Sequence, residues 1–279
     1  MKPTLACFRA LALTLSFPGL LPIALLIASP APIAADERFF TYVYEADVLP
    51  EGKLEFEQWL THRRGKAGQT FSAWDFREEL EYGMTKNLST SLYLNFRQQN
   101  QTDNSGTDVD SFRFKGISAE FKYRLLNPET DPVGLALYLE PTYNGNEAEL
   151  EEKLILSKNF GDKWVAAFNA SLEQEWERES GTTKEETMLE FSAGIAYRLD
   201  PHWSVGLEAR NHRVFDGLGF HQELGSAWFV GPNVHYGSSK WWATLTVLPQ
   251  VHGHPNTSGG LELNEHTKGE ARLIVGFNF

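Results

Sequence analysis

Leu88-Ser89-Thr90-Ser91-Leu92-Tyr93-Leu94-Asn95-Phe96-Arg97 is the stretch on which the fold turns. On an extended chain Leu88, Thr90, Leu92, Leu94 and Phe96 fall on one side and Ser89, Ser91, Tyr93, Asn95 and Arg97 on the other, because side chains alternate across a strand. A strand divided in this way separates an apolar medium from a polar one. The division recurs along the chain. Ile117, Ala119, Phe121, Tyr123 and Leu125 oppose Glu120, Lys122 and Arg124, while Trp164, Ala166, Phe168, Ala170 and Leu172 oppose Asn169, Ser171 and Glu173. Leu189, Phe191, Ala193, Ile195, Tyr197 and Leu199 oppose Glu190, Ser192, Gly194 and Arg198. Such faces suit the roughly nine to eleven residues that a tilted strand needs to cross hydrocarbon.

The connections alternate in length. Thr85-Lys86-Asn87, Lys158 to Lys163, Asp200-Pro201-His202 and Gly237 to Lys240 are short; Gln98 to Asp110, Glu177 to Glu185, Val214 to Gly225 and Val251 to His266 are long and polar. Short turns on one side and long loops on the other are the layout of an outer-membrane barrel. Three short turns run into Trp164, Trp203 and Trp241, which predicts an aromatic girdle at the inner membrane interface. The expected fold is therefore all-β, a transmembrane antiparallel up-and-down β-barrel of about 12 strands over residues 53–279. A soluble β-sandwich also alternates, but does not expose uniform apolar faces on strand after strand.

Composition agrees with a folded chain and removes several functions. Of 279 residues, 42% are hydrophobic and 13% aromatic, which argues against disorder. A net charge of -12 without a local Lys/Arg cluster excludes nucleic acid as a partner. The single cysteine, Cys7, leaves no thiol chemistry for the folded part, and it precedes the apolar stretch that a lipoprotein signal would follow. Lys2 and Arg9 lead into the charge-free stretch Ala10 to Ala35, closing on Pro32-Ile33-Ala34-Ala35. Residues 1–35 thus read as a secretory signal peptide cleaved after Ala34 or Ala35, with a retained anchor weakened by prolines as the alternative. Residues 36–52, carrying Phe39, Phe40, Tyr42 and Tyr44, are expected along the periplasmic rim; entry into the lumen as a plug, or a short extra strand, are the other readings.

The last residues carry a resemblance. Ala271, Leu273, Val275, Phe277 and Phe279 alternate to a terminal phenylalanine. This is similar to the C-terminal signal of bacterial outer-membrane proteins, with Val275, Phe277 and Phe279 as the assembly signal. The resemblance implies handling by periplasmic chaperones and the barrel-assembly machinery, and residence among outer-membrane lipids. The chain also resembles an uncharacterised family of exported barrel proteins, through Leu49-Pro50-Glu51-Gly52-Lys53, Glu78-Glu79-Leu80-Glu81-Tyr82-Gly83 and Trp241-Trp242-Ala243-Thr244. That likeness implies no activity.

If the apolar sets face lipid, the lumen is lined by Glu79, Glu81, Arg97, Glu120, Lys122, Glu140, Glu149, Glu151, Lys153, Glu173, Glu175, Glu190, Arg198, Glu208, Arg210, Glu270 and Arg272. A carboxylate surplus predicts a polar passage that favours cations; a network of ion pairs filling a narrow interior is the competing reading. Glu78 and Glu152 fall on the apolar parity, which a bulge, a rim position or a different register would explain. No Gly-x-Ser-x-Gly, His-Glu-x-x-His or phosphate-cradling loop occurs. Histidines and acids gather in the presumed outer loops, His212, Asp216, His221 and Glu223 in one and His252, His254, Glu265 and His266 in the other. Asp103, Asn104, Asp108 and Asp110 lack the spacing of a calcium loop. The expectation is a narrow passive pore or uptake protein for small polar solutes, with no catalytic residue, metal or cofactor. The alternatives are an enzyme acting on lipid or peptide at the outer rim, or a closed structural barrel presenting its loops.

Overall fold

A computed structural model of the chain describes residues 38–102, 106–179 and 181–279; the expected signal peptide lies outside them. Twelve strands follow one another: β1 (Leu54–Lys66), β2 (Gln69–Thr85), β3 (Leu88–Thr102), β4 (Asp108–Leu126), β5 (Gly134–Tyr143) and β6 (Glu147–Phe160), then β7 (Trp164–Glu179), β8 (Thr182–Arg198), β9 (Trp203–Asp216), β10 (Glu223–Gly237), β11 (Trp241–His254) and β12 (Gly269–Asn278). Each pairs antiparallel with its neighbour in sequence, and β1 pairs with β12 from Glu55 opposite Asn278 to Arg64 opposite Gly269. The barrel is closed, so no strand edge is left with unpaired backbone groups in an apolar medium.

The alternation read from the sequence becomes an outside and an inside. Leu92 is 60% exposed on the outer face, while its neighbour Ser91 is 1% exposed on the inner one. Phe121 and Phe168 likewise face out and Glu120 and Asn169 face in. Glu78 and Glu152 do lie on the outer face. Pairing is unbroken through both, Glu78 opposite Gln58 and Leu94, Glu152 opposite Leu139 and Leu172, so neither is shifted by a bulge. The irregularity between β3 and β4 falls at Asn95/Phe96 instead, and turns Lys115 inward.

One end carries the connections 86–87, 127–133, 161–163, 199–202 and 238–240. Trp164, Trp203 and Trp241 open β7, β9 and β11 there and lie on the outer surface. Tyr236 sits between two of them, 4.9 Å from Trp203 and 4.8 Å from Trp241, and Tyr197 is 4.8 Å from Trp164. Towards the other end Phe96 meets Phe112 and Phe114 at 5.9 and 5.4 Å, which gives the outer surface a second aromatic level.

That other end differs from expectation. The polar stretches Gln98 to Asp110 and Glu177 to Glu185 are mostly strand, since β3 runs to Thr102 and β7 and β8 continue to Glu179 and from Thr182. Alternation marks only where a strand meets lipid; beyond that height, strands polar on both faces extend because the neighbouring ladder supplies their hydrogen bonds. The longest connection, 255–268, bends back over the barrel mouth and buries Glu262 and His266.

The two faces differ in what they tolerate. Phe121→Arg is expected to weaken folding into lipid vesicles by about 2 to 4 kcal/mol, whereas Ser89→Ala, on the inner face of β3 where its hydroxyl has no hydrogen-bond partner among the described residues, changes it by under about 1 kcal/mol. Equal losses in a urea titration would reverse the assignment of faces.

Candidate functional site

The segment ahead of β1 does not follow the rim. Residues 38–49 enter the lumen, where Phe40, Thr41, Val43 and Ala46 are completely buried. An irregular backbone in a closed interior needs partners for its amides and carbonyls, and inward side chains of the barrel supply them. The Glu208 carboxylate accepts the N–H groups of Thr41, Tyr42 and Val43 at 3.0, 2.8 and 3.2 Å and is itself held by the Thr246 hydroxyl. Asn169 accepts from the Tyr44 amide at 2.6 Å and donates to its carbonyl at 2.9 Å. Ser157 accepts from the Ala46 amide at 2.9 Å, and Asn233 and Arg272 donate to the carbonyls of Phe39 and Thr41 at 2.6 and 3.1 Å.

The aromatic residues of the segment explain why it leaves the rim. Phe40 packs with Val43 on Val165, Ala167 and Ala196, and Tyr42 with Ala227, Phe229 and Leu248. Tyr44 and Ala46 join Trp59, Ala136, Tyr138, Ile155, Trp242 and Ile274. These inward strand positions are apolar where a water-filled lumen would have polar residues, and they offer the segment burial that a rim position does not. Gly194 makes the fit possible: a Cβ there would lie 2.7 Å from the Phe40 ring.

Around the plug the charges fall into levels. Nearest the turn end, Glu57, Glu79, Glu81, Glu120 and Lys122 surround a cavity of about 10 Å³ with Arg38 and Tyr44. The Trp59 indole donates to Glu57 and Glu79 at 2.6 and 3.1 Å, the Trp242 indole to Glu55 at 3.2 Å, and the Tyr93 hydroxyl to Glu120. At the next level opposite charges interleave. Arg63 bridges Asp75 and Glu270 at 2.7 and 2.8 Å, Arg210 joins Glu270 at 2.9 Å to Glu190, and Arg77 meets Glu140 at 2.6 Å. Lys153 pairs with Glu151 and stands over the rings of Tyr44 and Tyr138. At the turn end itself Arg198, the last residue of β8, donates to Asn159 at 3.1 Å and covers the Phe39 ring.

Above these lies a vestibule of about 490 Å³, lined by Arg97, Glu140, Glu149, Glu173, Glu175, Glu270 and Arg272 together with Arg63, Lys66 and Lys115. Each lumen residue expected from parity is thus accounted for at one of these levels, Glu208 as the plug's holder. Parity did not single out Glu55, Glu57, Arg63, Asp75 or Arg77. Arg77 was within reach, two residues from Glu79 on the same face; β1 hid its own because Trp59 breaks the polar series. Carboxylate oxygens of Glu55, Glu57 and Glu81, and of Glu147, Glu149 and Glu175, come within 4.8 Å of one another. Arg38 and Lys122 stand at the first group, and Lys115 pairs with Glu147 of the second.

Of the loop histidines the fold brings two together, one from each presumed loop. His212 Nδ1 and His266 Nε2 are 2.9 Å apart, and His266 Nδ1 is 2.6 Å from Glu262. The geometry assigns an N–H of His266 to Glu262 and one of His212 to His266, since each shared contact needs one donor and one acceptor. Glu262 also accepts the amides of Asn264, Glu265 and His266, so the chain of groups ties connection 255–268 to β9. His221, His252 and His254 are exposed and take no part. Asp108 and Asp110 accept from Thr102 and Asn100 at 3.0 and 2.8 Å, while Asp103 and Asn104 lie outside the described residues.

Comparison with known proteins places this architecture. Residues 32–279 match the Family of unknown function (DUF6662), and the chain belongs to that family. No curated protein matches the sequence. Among solved structures the chain is similar to the NanC porin, with a TM-score of 0.51 at 9% identity over 80% of this chain and 98% of that one. It is similar also to the β-domain of the Bordetella autotransporter BrkA, with a TM-score of 0.50 at 10% identity over 82% and 99% of the two chains. At such identity the likeness is one of fold, that of bacterial outer-membrane barrels.

Two outcomes follow from the grip on the plug and on the mouth. Glu208→Ala leaves three buried amides without an acceptor, so protection of amides 41–43 in hydrogen exchange should fall by about 2 to 4 kcal/mol while the β1/β12 ladder stays protected. Burial lowers the His266 pKa, and its bond to Glu262 opposes the shift without reversing it. A lowered folded value means that the stabilisation is fully present above the unfolded value of about 6.5 and is lost progressively as pH falls from there through the lower folded value. Protection within 262–268, taken relative to the intrinsic exchange rate at each pH, should therefore fall on acidification from about pH 7.5 to about pH 5, and His266→Gln should flatten that dependence.

Proposed function

We propose that this member of the DUF6662 family is an outer-membrane uptake barrel for small polar solutes, biased towards cations and held shut by its own N-terminal segment. One observation carries the reading: a polar vestibule of about 490 Å³ ends on a plug that the barrel grips through side-chain hydrogen bonds to the plug's backbone. No covalent bond is needed to release such a plug. Its withdrawal would leave an interior in which Glu55, Glu57, Glu79, Glu81, Glu120 and Glu208 outnumber the cations at the same depth, and a carboxylate surplus in a confined space favours positive solutes. The expected passive pore thus becomes a gated one. On this reading the chain is not an enzyme, and the Glu262, His266 and His212 series is a structural tie.

The complete burial of Phe40, Thr41, Val43 and Ala46 favours a second reading, a barrel that stays closed and presents its outer end. Planar-bilayer recordings separate the two. The whole chain should pass little current, and a chain lacking residues 38–49 should conduct at least about tenfold more, with reversal potentials in a salt gradient showing cation preference. A deletion variant that shows heat-modifiable mobility on gels yet stays silent in the bilayer would overturn the uptake reading in favour of the closed barrel.

A further inference from the structure

The vestibule carries paired and unpaired charges on different walls. On one side of it Arg63, Asp75, Arg210, Glu190 and Glu270 alternate in sign and meet at bonding distance, and Arg97 joins them through Asp75. On the wall of β6, β7 and β8 the strand register sets like beside like, as it does deeper at Glu55 opposite Glu81 and Glu57 opposite Glu79. Glu149 of β6 stands directly opposite Glu175 of β7, and Glu175 directly opposite Glu186 of β8. Arg97, by contrast, stands directly opposite Asp75 and is paired with it. Like charges in direct cross-strand pairs destabilise a sheet, so the row of acids does not help the barrel to fold.

The pairing of individual charges sharpens the contrast. Among the described residues Glu149, Glu173 and Glu175 make no ion pair, although Lys115 stands close enough to bind their neighbour Glu147. Across the cavity Lys66 reaches the main-chain carbonyl of Asn264 at 3.3 Å, and Arg272 reaches the Thr61 hydroxyl and the Thr41 carbonyl at 2.8 and 3.1 Å. Neither meets a carboxylate at bonding distance. Acids without a cation on β6 and β7 therefore share one cavity with cations without an acid on β1 and β12. Its volume lies in the range of small-molecule sites.

We infer that the vestibule is a binding site for a short linear zwitterion, a molecule with an ammonium group at one end and a carboxylate at the other, as in a small peptide. The ammonium is received by Glu149, Glu173 and Glu175, and the carboxylate by Lys66 and Arg272. A dication meets repulsion at the Lys66 side and a dianion at the Glu149 side, so the cavity selects for both charges on one molecule rather than for either alone. This rests on the uptake reading, for which it names the substrate class.

The test uses the whole chain refolded in detergent and titrated calorimetrically at low salt with triglycine, putrescine and glutarate. Triglycine should bind more tightly than either of the others. The double variant Glu149→Gln, Glu175→Gln and the single variant Lys66→Gln should each weaken triglycine by about tenfold or more, since each removes a charge-assisted contact. N-acetyl-triglycine, which lacks the ammonium, should bind weakly and be indifferent to the glutamate changes. Heat-modifiable mobility of each variant shows that the barrel is intact. Putrescine binding as tightly as triglycine would replace the inference with a simple cation site, and absence of heat with triglycine would overturn it. Conduction by the chain lacking 38–49 is read separately: a conducting barrel that ignores triglycine sinks this inference alone, and a silent one sinks the uptake reading.

Discussion

Everything in this barrel depends on the closure of one backbone ladder. In hydrocarbon no water satisfies an open strand edge, so β1 must find β12, and the twelve strands from Leu54 to Asn278 are arranged by that demand. Closure gives each strand a lipid side and an inner side, and the period of two then sends Leu92 outward and Ser91 inward without further instruction. The aromatic residues at the two ends of the apolar surface follow from the same geometry, because Trp and Tyr bodies suit the boundary between lipid and water.

A closed ladder leaves an interior to be filled, and the filling is the segment that precedes it. Its backbone has no sheet to join, so Glu208, Asn169, Ser157 and Asn233 stand in for one. Its aromatic side chains complete three apolar groups that the strands alone would leave half built. Gly194 beside Phe40 marks the closeness of the fit, where a Cβ would lie 2.7 Å from the ring, and Gly276 lets Trp242 of β11 lie against the wall opposite it, where a Cβ would lie 2.3 Å from the indole. Grip through the backbone is insensitive to the plug's own side chains, whereas packing is not; the first resembles peptide capture and the second a protein core.

Charge then changes character with height. Around the plug the carboxylates are held by indole and hydroxyl donors, above it by arginines in alternating pairs, while on the β6 and β7 wall of the vestibule Glu149, Glu173 and Glu175 make no ion pair among the described residues. Deep groups need partners because burial of a lone charge is costly; groups at the mouth can remain unpaired because solvent reaches them. Unpaired charge at the mouth is available to a solute, and this gradient connects the fold with the proposed uptake.

The sequence by itself determined the barrel, a strand number of about twelve and the inward parity of the charges, because lipid on one side and water on the other impose a period of two that a chain displays residue by residue; the closed ladder fixed the count at twelve. It also carried a trace of the plug in Val165, Ala167, Ala196 and Ala227, apolar residues on a face that should be wet, beside the aromatic run from Phe39 to Tyr44. What only the tertiary structure decided is which groups meet. Glu208 and Thr41 are 167 residues apart and His212 and His266 are 54 apart, and no local period encodes such distances. The extension of β3, β7 and β8 past the lipid was hidden for a related reason: once both faces of a strand are polar, alternation vanishes, and the strand persists only because its neighbours complete the hydrogen bonds.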